Sequence, residues 1–233
     1  MENRETKVKK RKSRTDTSWI GTDESGKGDY FGPLVIAGVY LDQKSWHKMS
    51  YLGVRDSKKI SDNVIKKLDY QIRSHCLYSV VVIGPEKYNL LYERMKNLNR
   101  ILAWGHARVI ENILMQVDCT RAISDQFGDE RYIKNALMEK GKKVDLKQIV
   151  QGERDLAVAS ASIIARAEFL RRLEQLSEKA GLILHKGASA LVDETAKKLV
   201  QEKGKENLAR FAKLHFKNTG KVLCPVKTGD TRT

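Results

Sequence analysis

The sequence predicts an α/β domain, and three observations predict it. Short runs rich in β-branched residues alternate along the chain with stretches whose apolar residues recur at helical spacing. The 233 residues are 41% apolar, enough for one substantial core. No apolar run approaches the roughly 20 residues that cross a bilayer, and the polar, basic N-terminus is unlike a signal peptide. Cys76, Cys119 and Cys224 are odd in number, far apart and free of any C-x-x-C pair, which points to a reducing cytoplasm and away from a zinc site.

Residues 1–18 form a polar arm carrying Lys7, Lys9, Lys10, Arg11, Lys12 and Arg14. With no apolar periodicity it is expected to be disordered and to touch phosphates loosely. Residues 19–217 form the domain. Trp19–Asp23 and Leu34–Leu41 read as strands, the second with Val35, Ile36, Val39 and Tyr40 suited to a pleated surface. Ser61 is placed to cap a helix running to His75, with Val64, Ile65, Leu68 and Ile72 on one face. Leu77–Ile83 is a third strand, ended by Gly84-Pro85. Helical spacing then covers Leu98–Gln116, with Trp104 in the core and His106 as a hydrogen-bonding residue rather than a ligand.

Arg121–Asp125 reads as a short strand ending in an acid, the same arrangement as Ile20–Asp23. Ile133–Glu139 follows as a helix and Val144–Val150 as a strand. Leu156–Lys179 is the longest helix; its first turns hold Ala157, Ala159, Ser160, Ala161 and Ser162, small enough for close packing on a sheet. A last helical pattern spans Leu191–Phe211 with a break near Gly204, and residues 218–233 read as an irregular tail.

The chemistry concentrates in Ile20–Pro33, I-G-T-D-E-S-G-K-G-D-Y-F-G-P. The adjacent carboxylates Asp23 and Glu24 suit a hard divalent cation. They precede Gly26-Lys27-Gly28, where glycines let the main chain approach a phosphate and free its N–H groups to donate. Gly21-x-x-x-x-Gly26-Lys27 nearly matches the phosphate loop of nucleotide hydrolases, but Gly28 replaces the hydroxyl residue and Gly32-Pro33 interrupts the helix that should follow. A glycine-rich turn with solvated charges is the plainer alternative. Adjacent strand residues face opposite sides, so Asp23 and Glu24 are expected to share a site only if the strand ends there and the chain bends at Ser25-Gly26.

Charge supplies the wider context. Forty-four Lys and Arg against twenty-nine acids give +15, a field that attracts polyanions, nucleic acid above all. Acids clustered inside so basic a chain suggest basic walls around an acidic floor. Two divalent ions about 4 Å apart on such a floor could hydrolyse a phosphodiester. Their candidate ligands are Asp23, Glu24, Asp125 and an acid before the long helix, Glu153 or Asp155.

The segment G-T-D-E-S-G-K-G-D-Y-F-G-P-L closely resembles the opening motif of type 2 ribonucleases H, and specifically of ribonuclease HIII. The resemblance continues through Asp56-Ser57-Lys58-Lys59, Lys96-Asn97-Leu98-Asn99, Ala103-Trp104-Gly105-His106-Ala107 and Ser124-Asp125-Gln126-Phe127. It resumes at Leu156–Arg166 and Leu214-His215-Phe216-Lys217, so it covers roughly residues 18 to 220 in order.

It implies a ribonuclease H-like fold with a central mixed sheet flanked by helices. It also implies a monomeric cytoplasmic endoribonuclease, without membrane attachment, that cuts the RNA strand of RNA–DNA hybrids with Mg²⁺ or Mn²⁺ to leave 3′-hydroxyl and 5′-phosphate ends. The family's four acids map onto Asp23, Glu24, Asp125 and Glu153. Glu153 fits the acid that ribonuclease HIII places before the A-V-A-x-A-S-I helix; Asp155 fits a helix cap. Ser25, Gly26, Lys27 and Gly28, with Lys58 as a further phosphate contact, form the implied substrate-binding set.

Two rivals remain. One is a ribonuclease HII-like enzyme cutting at single ribonucleotides embedded in DNA; that branch carries G-R-G and uses a tyrosine for which this sequence offers no clear counterpart. The other is a non-catalytic hybrid-binding protein. The chain also departs from the family pattern, because eighteen residues cannot hold the TATA-box-binding-protein-like domain that ribonucleases HIII usually carry before the catalytic domain.

Overall fold

The computed structural model describes residues 18–54 and 60–223. Lys58, residues 1–17 of the basic arm, Cys224 and the remainder of the tail lie outside the described residues. Five strands make one sheet: β1 (Trp19–Ser25), β2 (Leu34–Leu41), β3 (Leu77–Ile83), β4 (Arg121–Asp125) and β5 (Asp145–Ile149), in the order β3-β2-β1-β4-β5. The first three pair antiparallel, while β4 runs parallel to both β1 and β5. The sheet is therefore mixed, as expected.

Its two faces are covered by different helices. Alternate residues of β2 separate cleanly: Val35, Ala37, Val39 and Leu41 join the core under α6 (Leu156–Ala180), whereas Leu34 and Ile36 face the core under α4 (Leu98–Leu114). Gly21 explains how close α6 lies. A Cβ built there would stand 2.2 Å from the Ala157 carbonyl carbon and the Val158 nitrogen, so only glycine lets the helix backbone rest on β1. Asp155 caps α6, its Oδ1 accepting from Ala157 N at 2.9 Å and Val158 N at 3.1 Å, and also from the Trp19 indole at 3.1 Å.

Two helices escaped the hydrophobic pattern. α1 (Gln43–Tyr51) buries only Ser45 and Met49, too few for a periodic stripe; its signal is the Asp42/Ser45 capping box. α3 (Pro85–Met95) begins at the same Gly84-Pro85 that ends β3, since proline at the first helical position both stops a strand and starts a helix. α2 (Asp62–His75) follows Ser61 as expected, and α5 (Arg131–Ala136) lies slightly ahead of its expected position.

The irregular tail is corrected in its first turns. α7 (Ala190–Lys203) is followed by a 3-10 segment, Lys205–Arg210, and the chain then forms α8 (Lys217–Leu223). Thr219 and Gly220 are weak helix formers, so α8 depends on side-chain ties to Asp193. Asn218 donates to that carboxylate, and Lys221 Nζ lies 3.0 Å from it. Among the described residues no helix is long and apolar enough to cross a membrane.

Candidate active site

The site is built at the C-terminal ends of two neighbouring parallel strands. Thr22 pairs with Ser124, which brings Asp23 and Asp125 to the same level of the sheet, one residue further on. β1 does not end at Asp23. It continues through Ser25, paired with Val35, so the expected bend is not what unites the acids.

Asp23 and Glu24 point to opposite faces, as strand geometry requires. Asp23 hydrogen-bonds Ser162 on α6, and Glu24 meets His106 on α4. Both nevertheless line one cleft of about 530 Å³ with Asp125, because it opens across the strand ends where the two faces meet.

Glu24 is well partnered. His106 Nε2 lies 3.2 Å from its Oε2, while His106 Nδ1 lies 2.8 Å from Thr22 Oγ1. An Nε2–H donating to the carboxylate leaves Nδ1 free to accept from the threonine hydroxyl, which fixes the ring. Phe127 stacks on the same imidazole, with ring centroids 4.9 Å apart. Lys27 Nζ approaches the other oxygen of Glu24 at 3.4 Å. Burial pushes the Glu24 carboxyl up, but His106 and Lys27 together bring it below its ordinary value.

Asp23 is in the opposite condition. Burial, the Glu24 charge and then Asp125 hold its carboxyl well above the ordinary carboxylate range, against the hydrogen bonds from Ser162 and from Glu24 N. Asp125 Oδ1 accepts from Gly152 N at 2.8 Å.

The loop beyond β1 forms the rim. Gly26 adopts φ +88° with a built Cβ 2.2 Å from Pro33 O, so the position excludes side chains. Ser25, Gly26, Lys27 and Gly28 all line the cleft, and nothing lies within 4 Å of a built Cβ on Gly28. The opposite wall carries Arg166 and Lys186, both bound to Asp62, at 2.7 and 2.9 Å. Arg166 is thus tied to an acid at the start of α2. Lys186 carried no motif, and Ser162 was read only as a small packing residue, so the fold reveals their place in the cleft.

Glu153 is not among the residues lining the cleft. It belongs to the 3-10 turn Gly152–Arg154, whose first residue donates to Asp125. Among the described residues, no three His, Cys, Asp or Glu side chains close around a common point. Glu24 is drawn instead to His106 and Lys27.

Comparison with known proteins identifies the family. The family model described as Ribonuclease HII matches residues 20–219. Ribonuclease HIII of Protochlamydia amoebophila is 47% identical over 207 residues, 89% of this chain and 69% of that protein. The crystal structure of Bst-RNase HIII in complex with Mn²⁺ superposes with a TM-score of 0.82 at 35% identity, covering 91% of this chain and 70% of that one. Aquifex aeolicus RNase H3 gives a TM-score of 0.71 at 32% identity, over 87% and 73% of the two chains. By this family model over most of its length and by these relatives, the chain belongs to the type 2 ribonuclease H family, on its ribonuclease HIII branch.

Proposed function

We propose that this ribonuclease H cuts the RNA strand of RNA–DNA hybrids internally, leaving 3′-hydroxyl and 5′-phosphate ends. Asp23, Glu24, Asp125 and Glu153 would hold two divalent ions, Mg²⁺ or Mn²⁺. The observation that carries the reading is that three carboxylates from two adjacent strands line one cleft rimmed by Gly26-Lys27-Gly28. Their oxygens suit a hard cation, and the unrelieved burial of Asp23 beside Glu24 is the condition an added positive charge corrects. The relative crystallised with Mn²⁺ supports the same assignment. Bound there, such ions supply an activated water and relieve charge on the leaving oxygen.

The chain's own residues position the substrate. Lys27, 39% exposed at its side chain, can turn from Glu24 to a backbone phosphate. The open space at Gly28 lets main-chain groups reach a ribose 2′-hydroxyl, the group that separates RNA from DNA. Ser25 and Gly26 hold that backbone in place, and we assign Lys58 a further phosphate contact. Glu153 is preferred to Asp155 as the fourth acid because Asp155 Oδ1 already accepts three hydrogen bonds.

Tyr30 bears on specificity. It is fully buried, its hydroxyl 3.1 Å from Thr219 Oγ1, so it cannot present a ring to a ribonucleotide–DNA junction. Strong metal-dependent cleavage of a labelled uniform hybrid, and weak cleavage of a duplex with one ribonucleotide, is therefore the expected result. Comparable rates on both substrates in Mg²⁺ would move the substrate assignment to the ribonuclease HII-like reading. Hybrid binding without cleavage in either metal would leave a non-catalytic binder.

A further inference from the structure

Lys213 is wholly buried, and among the described residues no carboxylate lies within ion-pair distance of it. A buried lysine without an acid is costly unless its donors are otherwise engaged. Here the partners are main-chain carbonyls: Nζ lies 2.7 Å from Gly32 O, 3.4 Å from Pro33 O and 3.5 Å from Phe31 O. Three donors meet three acceptors on one turn, and the Tyr88 ring stands 5.8 Å from the same nitrogen.

The backbone around Lys213 is tied to that turn as well. Lys213 N donates to Tyr30 O at 2.8 Å, Gly32 N donates to Phe211 O at 3.0 Å, and Phe31 forms an antiparallel bridge with Ala212. The turn in turn backs the substrate loop, because the Gly26 backbone lies against Pro33 O too closely to admit a Cβ.

We propose that Lys213 is a positioning residue for substrate binding: its ammonium gathers the carbonyls of Phe31, Gly32 and Pro33 and so sets the surface on which Gly26-Lys27-Gly28 rests. An apolar residue of equal size would fill the volume but leave those carbonyls without their donor. Burial draws the ammonium down to about 7, against the charge of Asp29, which is the cost expected of a lysine kept there for its donors.

The proposal rests on the reading that this loop grips the hybrid, so the test separates the two. Lys213→Met, Lys27→Ala and the double variant are compared for kcat and KM on a uniform hybrid, for Mn²⁺ binding by calorimetry and for thermal midpoint. Lys213→Met is expected to raise KM about 10-fold with kcat and Mn²⁺ affinity nearly unchanged, and the double variant to be no worse than the weaker single one.

Multiplying KM effects, or an unchanged KM in folded Lys213→Met while Lys27→Ala is impaired, would overturn the role of Lys213 alone. An unchanged KM in Lys27→Ala would overturn the loop reading and this role with it. Should Lys213→Met fail to fold, Lys213→Ala is assayed with propylammonium and with propanol. Restoration of KM by the amine only supports the proposal; equal restoration by both, or by neither, refutes it.

Discussion

Two groups of acids lie along helix α6. In the cleft stand Asp23, Glu24 and Asp125, where Lys27 and His106 meet Glu24 while Arg166 and Lys186 are engaged with Asp62. Further along the helix, Glu168 and Asp69 of α2 are enclosed by three arginines. Arg172 Nε reaches Glu168 at 2.7 Å, Arg73 Nε reaches Asp69 at 2.7 Å, and Arg171 bonds both acids. Burial pushes the Glu168 carboxyl up, but the arginines bring it below its ordinary value, whereas Asp23 is left above its own. The arginine-enclosed pair is completed by the chain itself. In the cleft Asp23 keeps its raised carboxyl, and the divalent ions proposed above would supply the charge that lowers it.

Replacing the acids should expose this contrast. Asp23→Asn or Asp125→Asn is expected to lower kcat more than about 100-fold, beyond the usual cost of losing a residue that merely orients a ligand. Hybrid binding should persist, and the thermal midpoint should hold or rise because a buried repulsion is removed. Substantial Mg²⁺-dependent turnover in both variants would sink the two-ion assignment.

The fourth acid gives a sharper division of labour. Glu153→Gln should reduce cleavage far more than Asp155→Asn. Asp155→Asn should nearly keep the cap, since asparagine caps a helix about as well as aspartate, whereas Asp155→Ala should lower stability by about 1 kcal/mol. Turnover measured beside chemical denaturation decides it, and the reverse pattern would transfer the ligand to Asp155.

Divalent ions offer a test without substrate. Mn²⁺ at 100 times its Kd should stabilise the protein by about 2.7 kcal/mol, seen as a rise in thermal midpoint that a chelator reverses. Asp23→Asn should lose most of that response, and Glu168→Gln should keep it. Equal responses in the two variants would erase the distinction drawn here.

The smallest effect is expected on the arginine side. Glu168→Gln should leave turnover intact and cost about 1–3 kcal/mol, discounted because Arg171 and Arg172 are nearly half exposed. A depressed carboxyl stabilises the fold above its ordinary value of 4.5 and loses that contribution as pH falls through the lower folded value. The gap between parent and Glu168→Gln should accordingly be full near neutrality and close in acid. A gap that stays constant across that range would rule out the charge network as its source.

Much of this was legible beforehand, and the remainder shows why some was not. β2 and β3 coincide with their Val- and Ile-rich runs, and β4 with the short segment that ends in Asp125. The cleft acids Asp23, Glu24 and Asp125 were visible because each stands near the end of a short apolar run. α1 was not visible, since a helix held by a capping box and two buried residues has no stripe to read. Lys213 was hidden for another reason. In a chain with forty-four basic residues nothing local marks it, and its carbonyl partner Gly32 lies 181 residues away.

Gly21 has a consequence of this kind for the whole site. It carries no charge and no functional group, yet the contact between its bare Cα and the Ala157–Val158 backbone sets the gap between β1 and α6. Asp23 stands on one side of that gap and Ser162 on the other. A single methyl at position 21 would force the helix outward and widen the cleft along its length, parting the two walls without touching any residue of the chemistry. The gauge of this enzyme is thus a missing side chain, two residues upstream of its first acid.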